Sequence, residues 1–478
     1  MHFARFLKSK VLLHFQLQME FETLLKKKWL HKQLESIGLK KPTPIQTNCI
    51  PAILERKQNC IGCAKTGSGK TMAFALPILH TLSDDPYGIY ALVLTPTREL
   101  AFQIADQFRA IGKPIGLRDV VVVGGRDMVL QGQELASRPH IVIATPGRLA
   151  DHLQSCNTFT LKKIKYLVLD EADRLLEPGG FDDQLKVIFD QLPAQKQTLL
   201  FSATFSNNVE EFITKTAMAE APFVWREKAI DESQTVSSLA QYYILTPVDS
   251  RDAYLVHIIQ NFTANDPSSL IMVFAKTCKS AQLLSMTLTR LGFPCEALHS
   301  MRTQKERMKA LSAFRSHQVK ILVATDVASR GLDIPEVQLV INHNVPSVTT
   351  NYIHRVGRTA RAGRKGQTLT MITPTDVDLV HAIEEMTRVK MQEYPKANID
   401  DAVADIHVQV SVTKREQEIK LKELDYDEKR NIHKRKKLLM KGLDPDEVEM
   451  EKKKAWKKKR KMHQKERQNQ FKNANKFE

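Results

Sequence analysis

An α/β fold with two parallel-sheet domains in tandem is predicted by two observations. Short β-branched runs recur, each followed by helical sequence, and a polar break divides them into two series. The first series is Cys60–Cys63, Ala91–Leu94, Val120–Val123, His140–Ile143, Tyr166–Leu169 and Thr198–Phe201. After the polar stretch Arg226–Gln234 the runs resume at Leu270–Phe274, Cys295–Leu298, Lys320–Val323 and Val337–Ile341. Helices fit the gaps. Leu100, Ile104, Phe108 and Ile111 lie at spacings of four, four and three, which makes one apolar face, and Gly112 and Pro114 stop it. The division that follows is an N-terminal extension over 1–20, a first domain over 21–225, a flexible linker over 226–236, a second domain over 237–393 and a charged tail over 394–478.

Composition narrows the function classes. The 478 residues are 42% hydrophobic and 26% charged, a globular balance too long for one core. The formal charge is +17, and from Thr413 to the end 23 Lys/Arg stand against 13 Asp/Glu, a difference of +10. Such a balance points to a polyanionic partner, most simply nucleic acid. The tail, with Lys452–Lys454 and Lys457–Lys461 flanking Trp456, reads as partly helical and disordered at its end. Six irregularly placed cysteines indicate a reducing compartment, and Cys60-Ile61-Gly62-Cys63 has no second pair to complete a metal site. No uncharged apolar run reaches the roughly 18 residues that a membrane span needs. Met1 to Met19 carry Arg5, Lys8 and Lys10 and no acid, a pattern compatible with a mitochondrial presequence or with a plain extension.

The chemistry lies at strand ends. Ala64-Lys65-Thr66-Gly67-Ser68-Gly69-Lys70-Thr71 follows the first strand and precedes the apolar helix Met72–Leu79. Loops of this kind aim backbone N–H groups at phosphate oxygens and end in a Lys and a hydroxyl that serve phosphate and Mg²⁺. Asp170-Glu171-Ala172-Asp173 directly follow the buried run Tyr166–Leu169. These carboxylates therefore emerge at the C-terminal end of a parallel strand, where open α/β sheets bind ligands. Asp170 is the candidate to hold Mg²⁺ through water, and Glu171 to orient or deprotonate the attacking water. A nucleoside triphosphate and its metal are the expected ligands.

From about Phe21 to about Ile383 the chain resembles the DEAD-box family of ATP-dependent RNA helicases, with the motifs in the family's order. The resemblance implies two RecA-like domains, ATP and Mg²⁺ as ligands, and RNA gripped by its backbone. Gly38-Leu39-Lys40-Lys41-Pro42-Thr43-Pro44-Ile45-Gln46 looks like the adenine-reading Q motif, with Phe21 as its stacking aromatic and Lys41 beside it. Pro96-Thr97-Arg98-Glu99-Leu100-Ala101, Gly124-Gly125 and Thr145-Pro146-Gly147-Arg148 resemble the RNA-contacting loops of the first domain. Ser202-Ala203-Thr204 matches the motif that couples the nucleotide site to RNA through the Asp170–Asp173 segment.

The second domain supplies its own set by the same resemblance. Thr325 is implied to face RNA, and Gly331 and Asp333 to face the ribose. His354 is assigned to coupling, and Arg358 and Arg361 to the γ-phosphate as arginine fingers. Phe274 is expected at the RNA, while Thr277, Gln304 and Arg307 match the remaining motifs. His299 reads as structural. Departures are few: Asn344-Val345-Pro346 replaces the usual Asp-x-Pro, Ser300 replaces a frequent Gly, and Lys26–Lys28 replace small polar residues.

The expected activity is RNA-stimulated ATP hydrolysis coupled to local, non-processive duplex separation. A DNA translocase and an ATP-gated RNA scaffold without turnover are the rival readings. A compact core with a basic tail looks like the nucleolar members that act in pre-ribosomal RNA maturation. Pre-ribosomal proteins are therefore the expected partners of a monomer without membrane association. The nucleus, and within it the nucleolus, is the expected location, with the mitochondrion as the alternative if residues 1–20 act as a presequence.

Overall fold

The computed structural model describes residues 20–65, 67–204, 210–211, 221–227, 239–326, 337–360, 366–395, 399–439 and 444–450. Residues 1–19 of the N-terminal extension, Thr66, Gly331, Asp333, Arg361, most of the 226–236 linker and the lysine runs of the tail lie outside them.

Two seven-stranded sheets form, and every strand pair in both is parallel. The first contains β1 (Cys60–Cys63), β2 (Ala91–Leu94), β3 (Asp119–Val122), β4 (Ile141–Ala144), β5 (Tyr166–Asp170), β6 (Gln197–Ser202) and β7 (Phe223–Arg226), in the order β3-β4-β2-β5-β6-β1-β7. The second contains β8 (Leu239–Leu245), β9 (Ile271–Phe274), β10 (Cys295–Leu298), β11 (Ile321–Ala324), β12 (Leu339–Asn342), β13 (Gly366–Ile372) and β14 (Gln392–Glu393), in the order β10-β11-β9-β12-β13-β8-β14. The central strands are buried on both faces, so they read as continuous apolar runs. The predicted helix over Leu100–Ile111 is there as Arg98–Gly112, capped by Thr97.

Register positions the chemistry. Cys63 pairs with Ser202, and Asp170 with Phe201, so the phosphate loop, the acidic turn and Ser202 leave one edge of the sheet together. Gly62 makes this pairing possible, because a Cβ there would stand 2.6 Å from the Phe201 ring.

Four strands lay beyond the sequence expectation. β7 alternates half-buried and exposed residues at the sheet edge, and β14 has two exposed residues. β8 carries polar Gln and two Tyr, and β13 begins at Gly366 and buries Thr368 and Thr370. Arg226, expected in the linker, is the last residue of β7.

The described chain through Ser411 is one compact unit that contains both sheets. From Val412 a separate unit begins, helical over Tyr426–Leu439. Among the described residues no helix is long and apolar enough to cross a membrane.

Candidate active site

The phosphate loop runs from β1 into the helix Lys70–Leu82 through two left-handed glycines, Gly67 (φ 85°) and Gly69 (φ 88°). A side chain at Gly69 would be strained by that φ, and its Cβ would lie 2.3 Å from Gln46 Nε2. Gln46 explains the crowding. Its Nε2 donates to the Gly69 carbonyl at 3.1 Å, and its Oε1 accepts from Thr43 N–H at 2.9 Å, closing a capping box on the helix Pro44–Leu54. The Gln46 amide thus ties the helix start to the phosphate loop.

Lys70 Nζ donates to the carbonyls of Ala64 (2.6 Å) and Lys65 (2.9 Å). Burial lowers its pKa, and the negative charges of Asp170, Glu171 and Asp173 oppose that shift. Lys65 N–H donates to Glu227 at 3.1 Å, and Lys41 is exposed. Phe21, expected to stack on a base, is 5% exposed and packs in the first-domain core.

Asp170 ends β5 and is buried, and its pKa is pushed up to about 7, first by burial and then by the neighbouring Glu171 charge. Glu171 adopts a left-handed conformation (φ 52°, ψ 50°) as the N-cap of the short helix Ala172–Leu175. Non-glycine residues held there store strain, a frequent mark of functional positions. Its Oε2 is buried without a hydrogen-bond partner among the described residues. Asp173 Oδ2 accepts from Thr204 Oγ1 at 2.5 Å, while its Oδ1 accepts from Arg174 N–H. Ser202 was expected to bond this acidic turn. Its hydroxyl instead accepts from Thr204 N–H at 3.3 Å, so it orients Thr204 and meets the turn only through it.

Side chains that flank the two sheets also meet among the described residues. His354 Nε2 lies 3.7 Å from Asp173 Oδ2. Glu99, 2% exposed, accepts from Gln304 Nε2 at 2.9 Å and pairs with Arg307 Nη2 at 2.8 Å. The sequence had placed Glu99 inside a motif without giving it a task. The available signal was a carboxylate in an otherwise apolar helix start beside Leu100 and Ala101.

The loops assigned to RNA cluster at the first sheet. The Arg98 guanidinium lies against Gly124 and Gly125, where added Cβ atoms would stand 2.8 and 2.6 Å from its nitrogens. Burial lowers its pKa, and the Arg307 and Arg148 charges act in the same direction. Arg148 donates to the Arg126 carbonyl at 2.9 Å, Thr97 caps its helix, and Pro96 and Thr145 are buried. Arg148 also pairs with Asp151 at 3.7 Å and Arg307 with Glu99, and the Glu99 charge opposes the Arg98 shift, so the guanidinium beside the two glycines is the group here that suits an anionic ligand.

In the second sheet, Thr325 is buried with an unpartnered hydroxyl among the described residues. Its neighbour Asp326 receives a two-pronged contact from Arg355, at 2.5 and 2.8 Å. Phe274 requires correction as a direct RNA contact. It is 1% exposed, and its ring lies under the Arg355 guanidinium at 5.0 Å, so it supports Arg355 from the core. Arg358 is buried, and its Nε donates to the His354 carbonyl at 3.2 Å. Asn344, the departure from Asp-x-Pro, accepts from Lys276 N–H through Oδ1 (3.1 Å) and from Arg355 through its carbonyl (2.7 Å).

The acidic turn also fits a divalent cation. A buried Asp170, the adjacent Glu171 with an orphaned oxygen, and the Thr71 hydroxyl at the helix start form an oxygen-rich donor set.

Comparison with known proteins agrees with this arrangement. The DEAD/DEAH box helicase model matches residues 43–212, and the helicase conserved C-terminal domain model matches residues 251–363. The chain is 56% identical over 421 residues to probable ATP-dependent RNA helicase DDX49 of Homo sapiens, covering 87% of this chain and 86% of that protein. It is 45% identical over 421 residues to ATP-dependent RNA helicase dbp8 of Schizosaccharomyces pombe, covering 87% and 92%. Among solved structures, S. cerevisiae Dbp5 bound to RNA and ADP BeF3 matches with a TM-score of 0.72 and 28% identity, over 82% of this chain and all of that one.

Proposed function

Since the chain belongs to the DEAD/DEAH box helicase family and is an ATP-dependent RNA helicase, we propose that it acts as an ATP-gated clamp on RNA. In this reading the clamp shuts when His354 and the Arg307–Gln304 pair reach the first domain. The observation that carries it is the orphaned, buried Glu171 carboxylate oxygen beside Asp170 and Lys70, on an acidic turn that the second domain touches through His354.

The residues divide the work. Gly67, Ser68, Gly69 and Lys70, with Ala64, Lys65 and Thr66, cradle the phosphates, and Gln46 holds the loop in register from behind. Glu171 takes a proton from, or orients, the water that attacks the γ-phosphorus. Arg358 and Arg361 neutralise charge that develops on the transferred phosphoryl group. Asp170 and Thr71 would hold Mg²⁺, largely through water. When bound, that ion neutralises phosphate charge and fixes the phosphate geometry. Asp173, Thr204, Ser202 and His354 report closure to the nucleotide side. Arg98, Arg148, Gly125, Thr97, Thr145 and Thr325 face the RNA backbone, and Phe274 backs Arg355. Gly331 and Asp333 are assigned to the ribose, and Phe21 and Lys41 to the adenine side. The division into 21–225 and 237–393 is kept as part of this proposal, with the first sheet continuing to Arg226 and with Ile399, Val403 and Val410, assigned to the tail, packing into the second-domain core.

ATP and RNA each add contacts to both domains, so each must strengthen the other's binding by the same factor. Hydrolysis ends the closed state and frees the strand. Short duplexes are separated locally. We place this activity in ribosomal RNA maturation within the nucleolus, with pre-ribosomal proteins as partners of a monomeric enzyme. The basic tail then tethers RNA or directs localisation.

The test is ATP turnover with and without RNA, alongside separation of a short duplex. RNA should raise turnover and equivalent DNA should not; equal stimulation by DNA would make the translocase reading the better one. Chelating divalent cations should abolish turnover, and magnesium should restore it. Glu99→Ala should leave ATP turnover without RNA unchanged and weaken the mutual reinforcement of ATP and RNA binding by about 5- to 150-fold. Equal coupling in that variant and the parent would remove the Glu99–Arg307 link from the mechanism.

A further inference from the structure

At the opposite edge of the first sheet from the nucleotide loops, two adjacent cavities open beside the entries to β2 and β5. One encloses about 750 Å³ and is lined by Tyr87, Gly88, Arg138, Thr158, Phe159 and Lys163 among others. The second, of about 670 Å³, takes Tyr90, Lys165, Tyr166, Lys196 and the carboxylates Asp84 and Asp85 into its wall. Neither contains a residue that the ATP or RNA readings use.

The walls are fixed. Tyr87 donates its hydroxyl to the Lys163 carbonyl at 2.9 Å, and Lys165 N–H donates to the Tyr90 carbonyl at 2.8 Å. Gly88 passes so close under Arg138 that a Cβ would stand 2.1 Å from its carbonyl oxygen. The rings of Tyr87, Tyr90 and Tyr166 form a chain with centroids 5.2 and 5.8 Å apart. The Lys165 ammonium sits 5.3 Å from the Tyr90 centroid. Lys163 lines the first cavity and Lys165 the second, with the buried Ile164 between them. The hollows are therefore preformed and share one aromatic ridge.

Their charge is lopsided. The first cavity has the two exposed cations Arg138 and Lys163 and no carboxylate, and neither cation has an ion-pair partner among the described residues. The second has Lys57, Lys165 and Lys196, while Asp84 is engaged by Lys27 and Asp85 lies 3.9 Å from Lys165. Unpaired cations in a concave, fixed site select an anionic partner.

We propose that the two cavities form a docking site for an acidic peptide segment of a partner protein, with a carboxylate placed at Arg138 and Lys163. Two features favour peptide over RNA. Tyr90 and Tyr166 are buried, which leaves only the half-buried Tyr87 and Phe159 for the base stacking that single strands use. Beyond Arg138 and Lys163, the first cavity is lined by Asn157, Thr158 and Thr160, donors and acceptors that match peptide amides, whereas RNA draws on a row of phosphate-neutralising cations. The site is also remote from the chemistry. Lys165 immediately precedes β5 and Asp170 ends it, about 16 Å away at ~3.3 Å per residue. A partner held here would leave ATP and RNA binding unobstructed, so docking recruits the enzyme without inhibiting it.

The experiment uses the full chain and a polyglutamate peptide carrying a fluorophore and a benzophenone. In the parent protein, photo-cross-links should map to the segments around Tyr87–Ile89 and Asn157–Lys163, and excess single-stranded polyuridylate should leave them in place. The double variant Arg138→Glu, Lys163→Glu should lose these cross-links and bind the peptide at that site about tenfold more weakly. Its RNA-stimulated ATP turnover should match that of the parent, which verifies folding, and Lys163→Glu alone should show the same trend. Cross-links confined to the basic tail, or surviving the charge reversal, would overturn the proposal. Loss of the cross-links on adding RNA would assign the surface to RNA instead.

Discussion

Glu171→Gln should lower RNA-stimulated ATP turnover by about 10²- to 10⁴-fold while ATP and RNA still bind. The substitution keeps the side chain's size and its place at a left-handed N-cap, so the turn and its strain survive. What it removes is the capacity to accept a proton from water. The parent carboxylate has an oxygen that is buried and without a partner among the described residues, a costly state that persists when a ligand or water is to be served. Gln also removes one negative charge from beside Asp170. Since Glu171 helps to raise the Asp170 pKa, the remaining carboxylate should ionise more easily in the variant. Nucleotide binding should therefore hold or tighten as turnover collapses. Turnover within a few-fold of the parent would show that another group handles the water.

The second large effect belongs to Arg358. Arg358→Lys should cut turnover by about 10³-fold or more, with the RNA requirement unchanged in kind. The residue is 1% exposed and is anchored by its own backbone: its N–H donates to the Arg355 carbonyl at 3.1 Å, and its carbonyl accepts from Val337 N–H at 3.2 Å. Lys retains charge and approximate length but presents one point donor in place of a planar fork. Because the parent side chain is buried, thermal unfolding of the variant must be measured beside its kinetics. A variant that melts like the parent and still turns over at more than about a tenth of its rate would remove Arg358 from the phosphoryl-transfer step.

The sequence was readable where burial is two-sided and unreadable where it is mixed. β1 and β2 coincide with their apolar runs because every residue of those strands is buried. β13 hides two threonines: Thr370 Oγ1 accepts from Asn342 Nδ2 at 3.1 Å, and Thr368 is wholly buried. That hydrogen bonding has no one-dimensional signature. The acidic turn and the phosphate loop could be ranked from their positions at strand ends, whereas Thr204 was legible only through the family resemblance. Glu99 and Arg307 could not, since they are 208 residues apart and acquire meaning only as a pair. Phe274 misled for the converse reason: its neighbours along the chain say nothing of the guanidinium stacked on it.

The Glu99–Arg307 pair also gives domain closure a thermal character. Bringing the two ions together strips water from both, and ionic hydration becomes less favourable as temperature rises. Closure should therefore strengthen on warming, and cooling should demand more nucleotide for the same RNA retention. With Glu99→Ala that dependence should flatten, so the contact would act as a thermometer for the clamp as well as a latch.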